Sequence, residues 1–213
     1  MQKLLDGIRD FHVRLRPGYR ERFAHLALGQ APDCLFVACS DSRVVPNLFA
    51  STDPGDLFVL RNVGNIVPPE ASRELEGSDA AAGAAVEFAS ITLGVRDVVV
   101  CGHSACGAMA AALSPGGTSG APHLRRWLRH VGASVARLER ETDLDPTLSP
   151  VDRLSQAHVL QQLDHLRTYP DIAGRIAAGE LRLNAWWFDL ANAEVLAHDP
   201  ASGRFRRLVE LLE

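Results

Sequence analysis

Three short apolar runs constrain the fold of this chain more than any other feature: Cys34-Leu-Phe-Val-Ala38, Leu57-Phe-Val-Leu60 and Asp97-Val-Val-Val-Cys101. Each is four or five residues long, bounded by Pro, Gly or Asp, and continuous rather than alternating, as strands buried on both faces are. An alanine-rich helix from about Ser78 to Leu93 separates the second and third runs and stops at Gly94. Strands alternating with helices predict a parallel sheet with right-handed crossovers. Upstream, Leu4, Leu5, Ile8, Phe11 and Leu15 recur at helical spacing until Pro17, and a second short helix fits Tyr19 to Leu28. Downstream, a Ser/Pro/Gly loop (Ser114 to Pro122) leads to helices from about His123 to Glu141 and from Pro150 to Thr168, with Pro170 breaking the latter. Leu181-Arg-Leu-Asn-Ala-Trp-Trp-Phe188 reads as another strand, and Glu194-Val-Leu-Ala-His198 as its edge-hairpin partner across Leu190 to Ala193. The expected architecture is a central, mainly parallel sheet with an antiparallel edge, flanked by helices and preceded by a helical arm.

At 213 residues and 46% hydrophobic content, one domain spanning residues 1–213 is the simplest organisation. A net charge of −4 gives no electrostatic case for nucleic acid or acidic membranes. The arginines 125, 126, 129, 137 and 140 read as a solvated helix face with Glu139 and Glu141. No apolar run approaches the ~20 residues that span a bilayer, and the charged N-terminus lacks the core of a signal peptide. The expected location is therefore cytoplasmic. There, Cys34, Cys39, Cys101 and Cys106 are core residues, metal ligands or reactive thiols rather than a disulfide framework.

Two segments carry the chemistry: Cys39-Ser-Asp-Ser-Arg43 after the first run and Gly102-His-Ser-Ala-Cys-Gly107 after the third. Both fall at carboxyl ends of parallel strands, where α/β proteins place ligands. His103 and Cys106 flank a turn entering a helix, whose amide donors favour a thiolate. With Cys39 they make two thiolates and one imidazole, a set that zinc accepts while keeping a fourth position open. Two other readings occupy the same turn. Ser104 stands where a G-x-S-x-G nucleophile would, although Cys106 replaces the final small residue and no HGGG-type oxyanion motif accompanies it. Cys101 could replace Cys39 as ligand, leaving Cys39, Asp41 and Arg43 without a role. The histidines 12, 25, 123, 130, 158, 165 and 198 show no metal spacing and read as surface or structural.

With C-x-D-x-R as Cys39-Ser-Asp41-Ser-Arg43 and H-x-x-C as His103-Ser-Ala-Cys106, the sequence resembles the β-carbonic anhydrases. Arg61-Asn-Val-Gly-Asn-Ile-Val-Pro-Pro69, the GHSACG turn, Leu166-Arg-Thr-Tyr-Pro170 and Trp186-Trp-Phe-Asp189 extend the similarity along nearly the whole chain. The resemblance implies one Zn2+ per subunit on Cys39, His103 and Cys106, and reversible hydration of CO2 to bicarbonate and a proton. It also implies a zinc-bound hydroxide oriented by the Asp41–Arg43 pair, and a substrate site of Gln30, Phe58, Val63, Phe88 and Gly102. Gln30 and Phe58 fit the plant-like, always-open branch, whereas Phe36 and Phe188 replace the Trp and Tyr of the closed branch. Val44 and Arg61 nevertheless fit the closed branch's bicarbonate pocket. Phe88, where Tyr is usual, and Asn184-Ala185, where the late His/Lys-Gly pair is usual, depart from the open-branch pattern. The resemblance further implies a homodimer or dimer of dimers with active sites at the subunit interface. Residues 1–30 would then pack on the partner, and Gln30, Phe58 and Phe88 would serve the partner's zinc. Related CS2/COS hydrolases and non-catalytic zinc scaffolds are the competing functions.

Overall fold

The computed structural model describes residues 1–74, 80–140 and 144–212. Among these, six strands form one sheet: β1 (Cys34–Cys39), β2 (Leu57–Asn62), β3 (Asp97–His103), β4 (Arg182–Asp189), β5 (Glu194–Asp199) and β6 (Arg204–Arg207). Their spatial order is β2-β1-β3-β4-β5-β6. The first four run parallel, and β5 and β6 fold back antiparallel. The mainly parallel sheet with an antiparallel edge is thus observed, extended by a sixth strand.

Period-two alternation divides the core. Leu35, Val37, Val98 and Val100 face Val159, Leu163 and Leu166 of the long helix Pro150–Leu166. Phe36, Ala38, Val99 and Cys101 face the other way with Val44 and Phe188. Gly102 closes the gap between sheet and helix. A β-carbon there would lie 2.7 Å from Val159 Cγ2 and 3.1 Å from both Ser155 Oγ and Trp187 Cδ1, so only glycine lets β3 pack this closely.

The long helix does more than cover the sheet. Buried polar side chains recur along one face at spacings of three and four residues, and most of them hold backbone groups of the strand end and loop packed against the helix. Ser155 Oγ donates to His103 O, His158 Nε2–H to Gly64 O and His165 Nδ1–H to Val67 O. Gln162 Oε1 accepts from Val67 N–H, and Tyr169, just beyond the helix, donates to Pro68 O. The row satisfies buried backbone groups of an irregular segment that has no ladder of its own. His158 is neutral there, its pKa pushed down to about 3 by burial. These histidines are structural, and buried rather than on the surface.

Local corrections follow from proline chemistry. Pro17 does not end the first helix. The run Gln2–Asp10 continues through a π-helical turn, Phe11–Leu15, into the helix Arg16–Leu26. Pro17 sits where the π-helical turn gives way to that last segment, so the regular i→i−4 ladder is already interrupted where its N–H is missing. Pro170 likewise ends one helix but starts another, Pro170–Ala177. The expected helix from His123 to Glu141 is broken into Pro122–Trp127, a 3-10 turn Leu128–Val131 and Gly132–Leu138. Glu141 lies outside the described residues. So does Ser78, the expected start of the alanine-rich helix, which is described over Ala80–Glu87 and continues as a π-helical turn to Thr92.

Candidate metal centre

β1 and β3 are neighbours in the sheet, so their carboxyl ends bring Cys39 and His103 side by side. Cys106 follows one tight turn later, just before the helix Gly107–Leu113. The ligand-type atoms of Cys39, His103 and Cys106 all lie within 4.8 Å of one another, and all three residues are buried. His103 Nδ1–H donates to Ser104 O at 2.9 Å, which fixes the tautomer and leaves a lone pair on Nε2. That Nε2 is buried with no hydrogen-bond partner among the described residues. An orphaned imidazole lone pair beside two sulfurs, in a pocket lined by Ile66, Met109 and Leu154, fits a thiophilic divalent cation.

The sulfurs are poised for the same task. A hydrogen bond from the Cys106 thiol pulls Cys39 down to about 4, outweighing the lift from burial. The same contact pushes the Cys106 thiol up. Binding a cation would displace the Cys106 proton. Gly64 N–H donates to Cys39 Sγ at 3.3 Å from a residue at φ +85°, a conformation that suits glycine. Cys101 belongs elsewhere. It packs with Phe36, Val99 and Phe188, and burial raises its pKa.

Asp41 turns toward Arg43. Its Oδ1 accepts from Arg43 N–H and Nε–H at 3.0 and 2.9 Å, and its Oδ2 from Nη2 at 2.7 Å. Those guanidinium bonds hold the carboxyl well below the usual range, hence ionised. Oδ2 lies 3.9 Å from His103 Nε2. The grip extends both ways: Arg43 Nη2 also donates to Ala105 O at 3.2 Å, while Arg61 donates to the carbonyls of Cys39 and Asp41. Arg61 is therefore spent on backbone. Val44 is fully buried.

Ser104 is structural as well. Its Oγ accepts from Leu190 N–H at 2.9 Å and its N–H donates to Phe188 O. Ala105 beside it adopts φ +52°, uncommon for a residue with a β-carbon. Asp152, at the start of the long helix, accepts Ala105 N–H at 2.7 Å. Neither Asp152 nor the backbone grip of Arg61 was indicated by local sequence, since both act across large separations in the chain.

The substrate-site residues divide. Val63 follows Asn62, the β2 partner of Cys39, and its carbonyl accepts from Trp127 Nε1–H at 2.7 Å on the rim of the centre. Gly102 lies in β3 directly before His103, and the position of its missing side chain faces the helix. Gln30 is not near this chain's own cluster. It borders a hollow with Arg22, His25 and Pro54, by the amino ends of β1 and β2. Phe58 and Phe88 pack together, ring centroids 5.6 Å apart, and Phe88 remains 42% exposed.

Fold and site define a protein of the α/β class with a buried Cys2His group, able to hold a metal ion, at the carboxyl edge of a parallel sheet. A family model described as carbonic anhydrase matches residues 34–195. The chain is 40% identical over 210 residues to a carbonic anhydrase of Pseudomonas aeruginosa, covering 99% of this chain and 93% of that one. With a carbonic anhydrase of Synechocystis the identity is 37%, over 93% and 71% of the two chains. Among solved structures, the β-carbonic anhydrase CcaA superposes with a TM-score of 0.88 at 36% identity, covering 97% of this chain and 98% of that one. One of two β-carbonic anhydrases of Sordaria macrospora, described as tetrameric, gives 0.77 at 31% identity over 92% and 95%. The chain belongs to the β class of the carbonic anhydrase family, whose general reaction is CO2 hydration.

Proposed function

We propose that the chain interconverts CO2 and bicarbonate with one zinc ion held by Cys39, His103 and Cys106, Asp41 and Arg43 serving as the catalytic pair. The observation that carries this is the buried, unpartnered His103 Nε2, flanked by two sulfurs and by an Arg43-held carboxylate 3.9 Å away. Zinc supplies an acidified water as the nucleophile. Two thiolates cancel most of a divalent charge, so the surrounding residues must do more than they would around three imidazoles. Gly64 N–H draws charge from Cys39 Sγ. Asp41 accepts a hydrogen bond from the attacking water, aiming a lone pair at the carbon, and Arg43 fixes the carboxylate for that role. A purely structural zinc site needs no such pair, which speaks against a scaffold.

The arm supports a homodimer. No side chain between Gln2 and Leu26 is buried, and Leu4, Ile8 and Val13 are 65–71% exposed. Arg22 ties the arm to its own domain through Pro54 O, Asp53 and Asp56, while the apolar face is left uncovered. Packed on a second copy, residues 1–30 would place Gln30, Phe58 and Phe88 beside the partner's metal, a hydrogen-bonding amide and an apolar wall for bicarbonate and CO2. Val63 and Gly102 would complete the site from the zinc-holding subunit.

Stopped-flow CO2 hydration at pH 8 or above, with light scattering on the same sample, tests the reading. Rapid hydration by a dimer or larger oligomer is expected. Zinc-loaded protein that hydrolyses COS or CS2 but leaves CO2 unchanged would move the function to those substrates, and inertness toward all three would leave a scaffold.

A further inference from the structure

The segment His103–Cys106 sets the spacing of two metal ligands, and its middle residues are pinned from outside. Ser104 is held by Phe188 and Leu190. Ala105, at φ +52°, is held on both sides of its α-carbon: its N–H reaches Asp152 Oδ1 at 2.7 Å and its carbonyl receives Arg43 Nη2 at 3.2 Å. Asp152 is itself fixed, Oδ2 accepting from Ser149 Oγ–H at 2.8 Å and its own N–H donating to Ser149 Oγ at 3.1 Å. A carboxylate 47 residues away in sequence, on the helix that also holds His103 O through Ser155, therefore bears on the ligand turn.

We propose that Asp152 is a positioning residue of the metal centre. Its carboxylate keeps Ala105 in the left-handed conformation that aims His103 and Cys106 at one point, and keeps the Ala105 carbonyl where Arg43 leans while gripping Asp41. The bond is short and charge-assisted, roughly twice as strong as a neutral one, which matters because Ala105 lies at the surface where water competes. Ser149 caps the helix through the Asp152 N–H and also steadies the Asp152 carboxylate, so a Ser149 variant measures how much of any effect comes from the cap. This inference rests on the zinc reading of Cys39, His103 and Cys106.

The test is zinc affinity by competition with a chromophoric chelator, with melting temperature measured alongside, on the wild type, Asp152→Ala, Asp152→Asn and Ser149→Ala. Asp152→Ala is expected to weaken zinc binding by about 10–100-fold, the scale of losing an outer-shell partner. Asp152→Asn, which keeps a neutral acceptor, should fall between it and the wild type. Ser149→Ala, which removes the cap and one brace of Asp152 but leaves its carboxylate on Ala105, should lower the melting temperature and weaken zinc binding by clearly less than Asp152→Ala. Affinity within twofold of wild type in Asp152→Ala overturns the proposal, as it does in Asp152→Asn should the alanine variant not fold. An equal loss in Ser149→Ala also overturns it, since capping alone would then account for the effect. A wild type that binds no zinc would instead overturn the metal reading on which the proposal rests.

Discussion

His103→Ala is expected to purify without stoichiometric zinc and to lose CO2 hydration by more than the roughly 10–100-fold that follows loss of an outer-shell partner. The reason lies in the geometry. His103 is fully buried, its Nδ1–H is committed to Ser104 O, and its only other polar atom is the lone pair facing Cys39 and Cys106. Removing the ring leaves only the two sulfurs, a poor site for a cation that needs a third protein ligand. Atomic absorption for zinc and stopped-flow hydration measure the two losses, and circular dichroism confirms that the sheet survives. Retention of zinc by this variant would mean that the ring is a packed core group.

The second large effect is expected from Asp41→Ala, and it differs in kind. This side chain reaches no sulfur and is held by Arg43, so zinc content should stay near one per chain. The turnover number should nevertheless fall by about 10²–10³, the cost of losing one preorganised hydrogen-bonding group at a reacting atom. The pH profile adds a signature. Because the Arg43 bonds depress the Asp41 pKa, the carboxyl is ionised above the ordinary aspartate range and is protonated only well below it. Wild-type activity lost between pH 8 and 6 thus cannot come from Asp41. An Asp41→Ala variant that hydrates CO2 at the wild-type rate would remove the catalytic role from the pair.

How much of this was legible beforehand depends on where each residue's partners lie. β1, β2 and β3 were readable because their apolar runs are continuous and their boundaries are turn residues. β6 was not. Arg204-Phe-Arg-Arg207 is a mostly exposed edge strand, and its pairing with β5 depends on backbone register and on Arg207 meeting Glu194 rather than on hydrophobic pattern. Pro17 misled because the helix runs on through a π-helical turn beside it, whereas Pro170 does end the long helix, as expected, and also opens the next.

The same distinction runs through the site. Cys39, Asp41, Arg43, His103 and Cys106 fall in two compact motifs, so their chemistry could be read from spacing and resemblance. Arg61 and the row Asp152, Ser155, His158, Gln162 and His165 hold backbone groups far away in sequence. In the sequence the helical ones are polar positions among others such as Arg153, Gln156, Gln161 and Asp164, with nothing to mark them out. Their meaning depends on which loop the fold lays against them, and local pattern does not carry that.

The most direct test of the central claim exchanges the two cysteines that compete for the role of first ligand. Zinc content and CO2 hydration would be measured together on Cys39→Ser and Cys101→Ser. Cys39 Sγ lies with His103 and Cys106, whereas Cys101 packs among Phe36, Val99 and Phe188. The expected result is that Cys101→Ser keeps one zinc per chain and hydrates CO2, while Cys39→Ser loses both. Zinc and activity retained by Cys39→Ser but lost by Cys101→Ser would contradict the account.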